Sequence, residues 1–125
     1  MTTRFGAGRR LGIHRRLMMN DLQHLTPRLA DEYASWFQCL ADGTRIQILH
    51  MVATADGSVT VGEIVKQIGK SQSTVSKHLQ ILASQRFVFT KPDGVRTLVR
   101  VNDACMTALP NAAATIMASR IPADG

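Results

Sequence analysis

Thr60-Val61-Gly62-Glu63-Ile64-Val65-Lys66-Gln67-Ile68-Gly69-Lys70-Ser71-Gln72-Ser73-Thr74-Val75-Ser76-Lys77-His78-Leu79-Gln80-Ile81-Leu82 reads as two short helices and the turn between them. Thr60 with Glu63 three residues on is a capping box, in which each side chain satisfies a backbone N–H of the other. Val61, Ile64, Val65 and Ile68 then repeat at helical spacing. Gly69 fits the left-handed position that ends a helix. Ser71 caps a second helix, expected over 71–85, which turns Val75, Leu79 and Leu82 inward. Its outer face is polar: Gln72, Ser73, Ser76, Lys77 and Gln80.

A hairpin follows over 87–101. Phe87 to Thr90 and Thr97 to Val101 are β-prone. Pro92-Asp93-Gly94 between them is turn chemistry and is expected to form the tip. Lys91, Arg96 and Arg100 flank that tip. A polar helix on an apolar prop, beside a basic flap, suits a groove of double-stranded DNA.

Upstream, Thr26-Pro27 opens a helix with Leu29, Tyr33, Trp36, Phe37 and Leu40 along one stripe. Asp42 caps the next helix, which Ile46, Leu49, Val52 and Ala53 line. Ser58 to Val61 is expected to form a short edge strand. Downstream, Asn102 or Asp103 caps a final helix with Leu109, Ala113 and Ile116 on one face. Pro110 falls inside that helix, and a proline there costs roughly 3 kcal/mol, so a kink or a break is expected. The fold class is mostly α with a small β-hairpin wing: a winged helix-turn-helix with additional N- and C-terminal dimerisation helices. The domain is expected over 21–119, between a basic, disordered arm at 1–20 and a frayed tail at 120–125.

The charge distribution agrees with a polyanion partner. The chain of 125 residues carries a net charge of +6. Five arginines and no acid lie in residues 1–20, and six basic residues against one acid lie in 70–100. Neutralising phosphates with such groups releases counterions. Two cysteines, Cys39 and Cys105, are too few for a disulfide-built secreted domain. No apolar run approaches the roughly 18 residues of a membrane span, and a cytoplasmic location is expected. No nucleophile–base pair, glycine-rich phosphate loop or paired carboxylates at catalytic spacing stand out, so neither an enzyme nor a cofactor is expected.

Four segments in order resemble one family. Leu40-Ala41-Asp42-Gly43-Thr44-Arg45-Ile46-Gln47-Ile48-Leu49 is similar to the "LADPTRLRIL" opening of the arsenic-repressor (ArsR/SmtB) family of bacterial transcription factors, and Val61-Gly62-Glu63-Ile64-Val65 to its "VGELA". Ser71 to Leu82 resembles its recognition helix, and Asp93-Gly94 with Val99-Arg100-Val101 its wing. Gly43 stands where the family usually has proline, and Arg86 where it often has glycine. The resemblance implies a homodimeric repressor on an inverted-repeat operator, with an inducer that the sequence does not identify. Leu29, Tyr33, Trp36 and Phe37 with Leu109, Ala113 and Ile116 would form the dimer interface.

For the DNA, Gln72 and Gln80 can pair bidentately with adenine, and Ser73 and Ser76 can serve several base edges. Thr74 offers a hydroxyl and a methyl. Lys70 and Lys77 suit phosphates. His78 fits a structural or phosphate role, and Lys91, Arg96 and Arg100 belong to the wing, from which one cation could enter a narrow minor groove.

The ligand sets of the family's metal sensors are missing. Val59 to Ile64 holds no cysteine where thiolate sensors carry "CVCDL". Asp103-Ala104-Cys105 resembles half of the last-helix site, but Ile116 and Ser119 stand where the other half would be. Zinc prefers four ligands, so no metal site is expected. Cys39 ends the first helix and Cys105 begins the last, two helices that pair in the family's dimer. They are therefore a redox candidate. The alternative function is a winged-helix protein-interaction or redox-sensing module with weak or non-specific DNA binding.

Overall fold

The structure, a computed structural model, describes residues 24–118. The expected arm at 1–20 and tail at 120–125 lie outside the described residues. The chain divides into two compact units, 1–33 and 34–125. In the first, the Thr26 hydroxyl accepts the Leu29 N–H at 3.2 Å and opens helix α1 (Pro27–Cys39). Leu29 and Tyr33 are half-buried.

The second unit takes in the end of α1 and then α2 (Gly43–Thr54), β1 (Val59–Thr60), α3 (Val61–Ile68), α4 (Gln72–Ser84), β2 (Val88–Asp93), β3 (Arg96–Val101) and α5 (Cys105–Ile116). The strands form one antiparallel sheet in the order β1-β3-β2, so the expected edge strand exists and pairs with the far arm of the hairpin. This is the winged helix-turn-helix that the sequence predicts.

Eight residues are too few for α3 to hold as a helix on its own. Local bonds and one core side chain stabilise it. The Glu63 N–H donates to the Thr60 hydroxyl at 3.0 Å and the Thr60 N–H to the Glu63 carboxylate at 2.8 Å. Gly69, at φ 77°, closes the far end, and Ile64 is fully buried. Around Ile64 the core gathers Ile48 and Val52 of α2, Val75, Leu79 and Leu82 of α4, and Phe87, Val88 and Val99 of the hairpin.

The end of α4 is tied into the hairpin. The Phe87 N–H reaches back to the Leu82 carbonyl at 2.9 Å and the Arg86 N–H to Ala83 at 3.0 Å, with Arg86 at φ 63°. This is the Schellman closure, with arginine in the place glycine prefers and an apolar contact between its two ends. Asn102 adds a latch, donating from its side chain to the Arg86 carbonyl at 2.8 Å.

Four expectations change. Ile46 is 52% exposed, and Ile48 holds its place in the core. The hairpin tip is not Pro92-Asp93-Gly94: Pro92 pairs with Thr97 and Asp93 with Arg96, leaving Gly94-Val95 as a two-residue turn. Gly94 at φ 64° supplies the positive φ that such turns need. Helix α5 runs through Pro110 without breaking. The lost bond is to the carbonyl of Met106, a residue half open to water. The N-cap of α5 is Ala104, not Asn102 or Asp103, although the Asn102 side chain accepts the Ala104 N–H at 3.1 Å. Of the face expected on α5, Leu109 and Ala113 are half-buried and Ile116 is 48% exposed, and Ala112 beside them is fully buried.

Two carboxylates make the fold acid-sensitive. The Arg45 N–H, helped by the Arg45 guanidinium, holds the Asp42 carboxyl below its ordinary value. The Thr60 N–H, then its hydroxyl, does the same for Glu63. A depressed carboxyl stabilises the folded state above the ordinary carboxylate range, and that stabilisation is lost as pH falls through the folded values. Asn and Gln keep both caps without the charge. Urea melts from about pH 6 down to about pH 3 should therefore fall less steeply for Asp42→Asn/Glu63→Gln than for the parent.

Candidate nucleic-acid interface

Helix α4 is amphipathic in the required sense. Val75, Leu79 and Leu82 seal one face into the core, and Gln72, Ser73, Lys77 and Gln80 stand exposed on the other. The helix begins at Ser71, whose hydroxyl accepts the Thr74 N–H at 3.2 Å and donates to the Thr74 hydroxyl at 2.9 Å. Thr74 and Ser76 are half-buried, and Lys70 is exposed just ahead of the cap. The free N–H groups and the dipole at this end attract anions, phosphate among them.

His78 turns inward. Its Nδ1 lies 3.2 Å from Nη1 of Arg45. A guanidinium only donates, so Nδ1 must accept and the ring proton sits on Nε2. Arg45 also donates through Nε to the Cys39 carbonyl at 2.6 Å and lies 3.9 Å from the Asp42 carboxylate. One side chain thus ties the end of α1 and the start of α2 to the middle of α4. The sequence reading did not single out Arg45. It stands three residues beyond the Asp42 cap, but nothing local shows that it reaches a histidine 33 residues on.

The wing cations share one face. Phe89 pairs with Arg100, Lys91 with Leu98 and Asp93 with Arg96, and Val88 and Val99 on the opposite face are buried. Lys91, Arg96 and Arg100 therefore lie on the sheet face away from the core. Arg96 is bound to Asp93 at 2.7 Å, and Arg100 lies over the Phe89 ring, 5.3 Å from its centre. Ser76 and Gln80 of α4 line a cleft of about 200 Å³ together with Thr90 and Thr97 of the wing root. Helix α4 and the wing root thus lie side by side.

The family described as "Bacterial regulatory protein, arsR family" matches residues 42–89, from the cap of α2 into the wing. A probable mercury resistance operon repressor of Streptomyces lividans is 35% identical over 104 residues, covering 76% of this chain and 82% of that protein. The chain belongs to the ArsR family. The HTH-type transcriptional regulator KmtR of Mycobacterium tuberculosis is 39% identical over 67 residues, 54% of this chain, and the match spans only half the length of that regulator. The solution structure of Mb0332 of Mycobacterium bovis, described as a homodimeric winged helix-turn-helix DNA-binding domain of a possible ArsR-family transcriptional regulator, superposes with a TM-score of 0.59 at 25% identity, covering 79% of this chain and 93% of that one.

The two thiols sit apart from the exposed helix face. Cys39 is buried and donates to the Ile81 carbonyl at 3.7 Å, and Cys105 is half-buried and donates to the Phe87 carbonyl at 3.9 Å. Burial pushes both thiols up, with Asp103 adding to the rise at Cys105 and Arg45 opposing it at Cys39. Trp36 packs on the same core, whereas Phe37 is 39% exposed. Among the described residues, no helix is long and apolar enough to cross a membrane, and no group of three or more His, Cys, Asp or Glu side chains is placed to hold a metal ion.

Proposed function

We propose that this chain is a cytoplasmic, homodimeric transcriptional repressor without catalytic activity, which binds an inverted-repeat operator through α4 and the wing. The observation that carries the reading is the division of α4 into a sealed apolar face and an exposed face of Gln72, Ser73, Lys77 and Gln80 beside a basic wing. In this reading Gln72, Ser73 and Gln80 meet base edges, with Thr74 and Ser76 at the margin. Lys70, Lys77, Lys91 and Arg100 meet phosphates. Arg96 contributes through its pairing with Asp93, and His78 acts through the seat of the helix. Leu29, Tyr33, Trp36, Phe37, Leu109, Ala113 and Ile116 supply the dimer face. The name of the Mb0332 domain supports both DNA binding and pairing.

A two-fold dimer sets its reading helices about one turn of DNA apart, roughly 34 Å. Selection of bound duplexes from a random pool, with sedimentation of the protein at micromolar concentration, tests this. The expected result is a dimer that enriches two half-sites about 10 base pairs apart. A monomer that enriches nothing would overturn it.

The input signal is a separate proposal, and Cys39 with Cys105 is its candidate. Both side chains belong to one packed cluster, and their S–H groups hold the carbonyls of Ile81 in the last turn of α4 and of Phe87 just before β2. Oxidation by a peroxide would join the two sulfurs. Two protons and two electrons leave the thiols and reduce the O–O bond to two waters. The bond needs Cα atoms within about 7 Å. Raised thiols hold little thiolate at neutral pH, so oxidation should quicken as pH rises. The expected result is a peroxide-dependent mobility change on non-reducing electrophoresis, absent from Cys39→Ser and Cys105→Ser, together with altered operator binding. No change in either would remove the pair from the mechanism.

A further inference from the structure

We propose that Val95 is an apolar probe of the DNA minor groove, which favours A·T pairs beside each half-site by rejecting the guanine amino group. This inference rests on the DNA-binding reading above. Val95 is the most exposed large hydrophobic side chain among the described residues, at 105% of its reference area. It occupies the apex of the two-residue turn that Gly94 makes possible. Turn positions favour Gly, Asn, Asp and Ser, which relieve backbone strain or bond to it. A β-branched hydrocarbon there does neither, and its full exposure leaves the fold no packing gain.

The surroundings suit insertion. Asp93 and Arg96 neutralise each other immediately below the apex. The remaining wing cations, Lys91 and Arg100, stand further down the hairpin. The tip is therefore an uncharged wedge with positive flanks, matching a groove floor between two phosphate rails.

The reach is also right. The wing root shares its cleft with Ser76 and Gln80 at the level of Thr90 and Thr97. From Thr90 to Gly94 is four residues, about 13 Å of strand. Half the width of α4 adds about 5 Å. Half the helical repeat of about 34 Å separates major from minor groove, about 17 Å along the duplex axis. With α4 in the major groove, Val95 arrives at the neighbouring minor groove.

That groove is about 6 Å wide and displays little beyond acceptors at A·T pairs, while guanine adds its N2 amino group on the floor. An isopropyl group offers that amino group no acceptor and collides with it. Discrimination by Val95 should therefore follow the amino group and not base identity as such.

The test uses the full chain and duplexes carrying the selected repeat, with flanks of A·T, G·C or inosine·C pairs. Inosine is guanine without the N2 amino group. The parent protein should bind G·C flanks about tenfold more weakly than A·T flanks and recover on inosine·C. Val95→Ala should reduce the A·T to G·C ratio to about twofold or less while keeping its dependence on the half-site centre. Val95→Ile, which keeps the β-branched hydrocarbon and adds no acceptor, should keep the ratio. A Val95→Ala protein that discriminates like the parent, or a parent that treats inosine·C like G·C, would overturn the role of Val95 and leave the repressor reading standing. A parent protein that binds no duplex specifically would overturn both.

Discussion

Replacing Leu82 with alanine is expected to cost the fold roughly 3–5 kcal/mol, the range for a fully buried leucine whose site cannot collapse. Leu82 is 0% exposed and sits where three things meet: the inner face of α4, the carbonyl that accepts the Phe87 N–H, and the buried Phe87 side chain. Domains of this size are stable by about 5–15 kcal/mol in all, so the variant should be marginal at room temperature. Urea unfolding should show the midpoint falling with little change in slope. Leu82→Met, which nearly conserves volume, should lose less than about 1.5 kcal/mol. An alanine variant as stable as the parent would mean that α4 is not seated on the core as described.

Gln72→Ala should weaken operator binding by about 1–3 kcal/mol, roughly five- to 150-fold, and relax the preference at a single base position. Gln72 is exposed in the first turn of α4 and its loss leaves the core untouched. Lys91→Ala should behave differently. A phosphate contact carries no sequence information, so binding should weaken alike on every duplex, and the slope of log affinity against log salt should shrink by about one unit. Quantitative gel shifts at several salt concentrations separate the two outcomes. Unchanged binding by both Gln72→Ala and Lys77→Ala would show that α4 is not the reading element.

The helix-turn-helix was legible because its determinants are local. The Thr60–Glu63 box, Gly69 and Ser71 each act within four residues, and each forms as the sequence predicts. Helix α2 was harder. Ile46, Ile48, Leu49, Met51 and Val52 leave few polar positions to mark a solvent side, so only packing decides that Ile48 points inward and Ile46 outward. The hairpin tip was misread for a related reason. Pro-Asp-Gly is turn chemistry taken alone, but pairing continues two residues further and the bend falls on Gly94-Val95. Of the kink or break expected at Pro110, the break does not occur: the buried Ala112 and the packed Leu109 on either side favour continuing the helix. Of the proposed contact residues, the exposed face of α4 and the wing cations are visible in the sequence as pattern and charge. The Arg45–His78 tie and the Asp93–Arg96 pair were not, because a sequence pattern does not show which charges the fold already occupies.

Pro92 has a consequence beyond the shape of the wing. It lies in β2, an outer strand of the sheet, where it offers no N–H, and Lys91 stands beside it. The other rim, β1, is only two residues long. Strand rims that lack donors, carry charge or end early resist annexation by a neighbour's sheet. Copies crowded along one promoter would thus remain separate readers instead of fusing rim to rim into an insoluble ribbon.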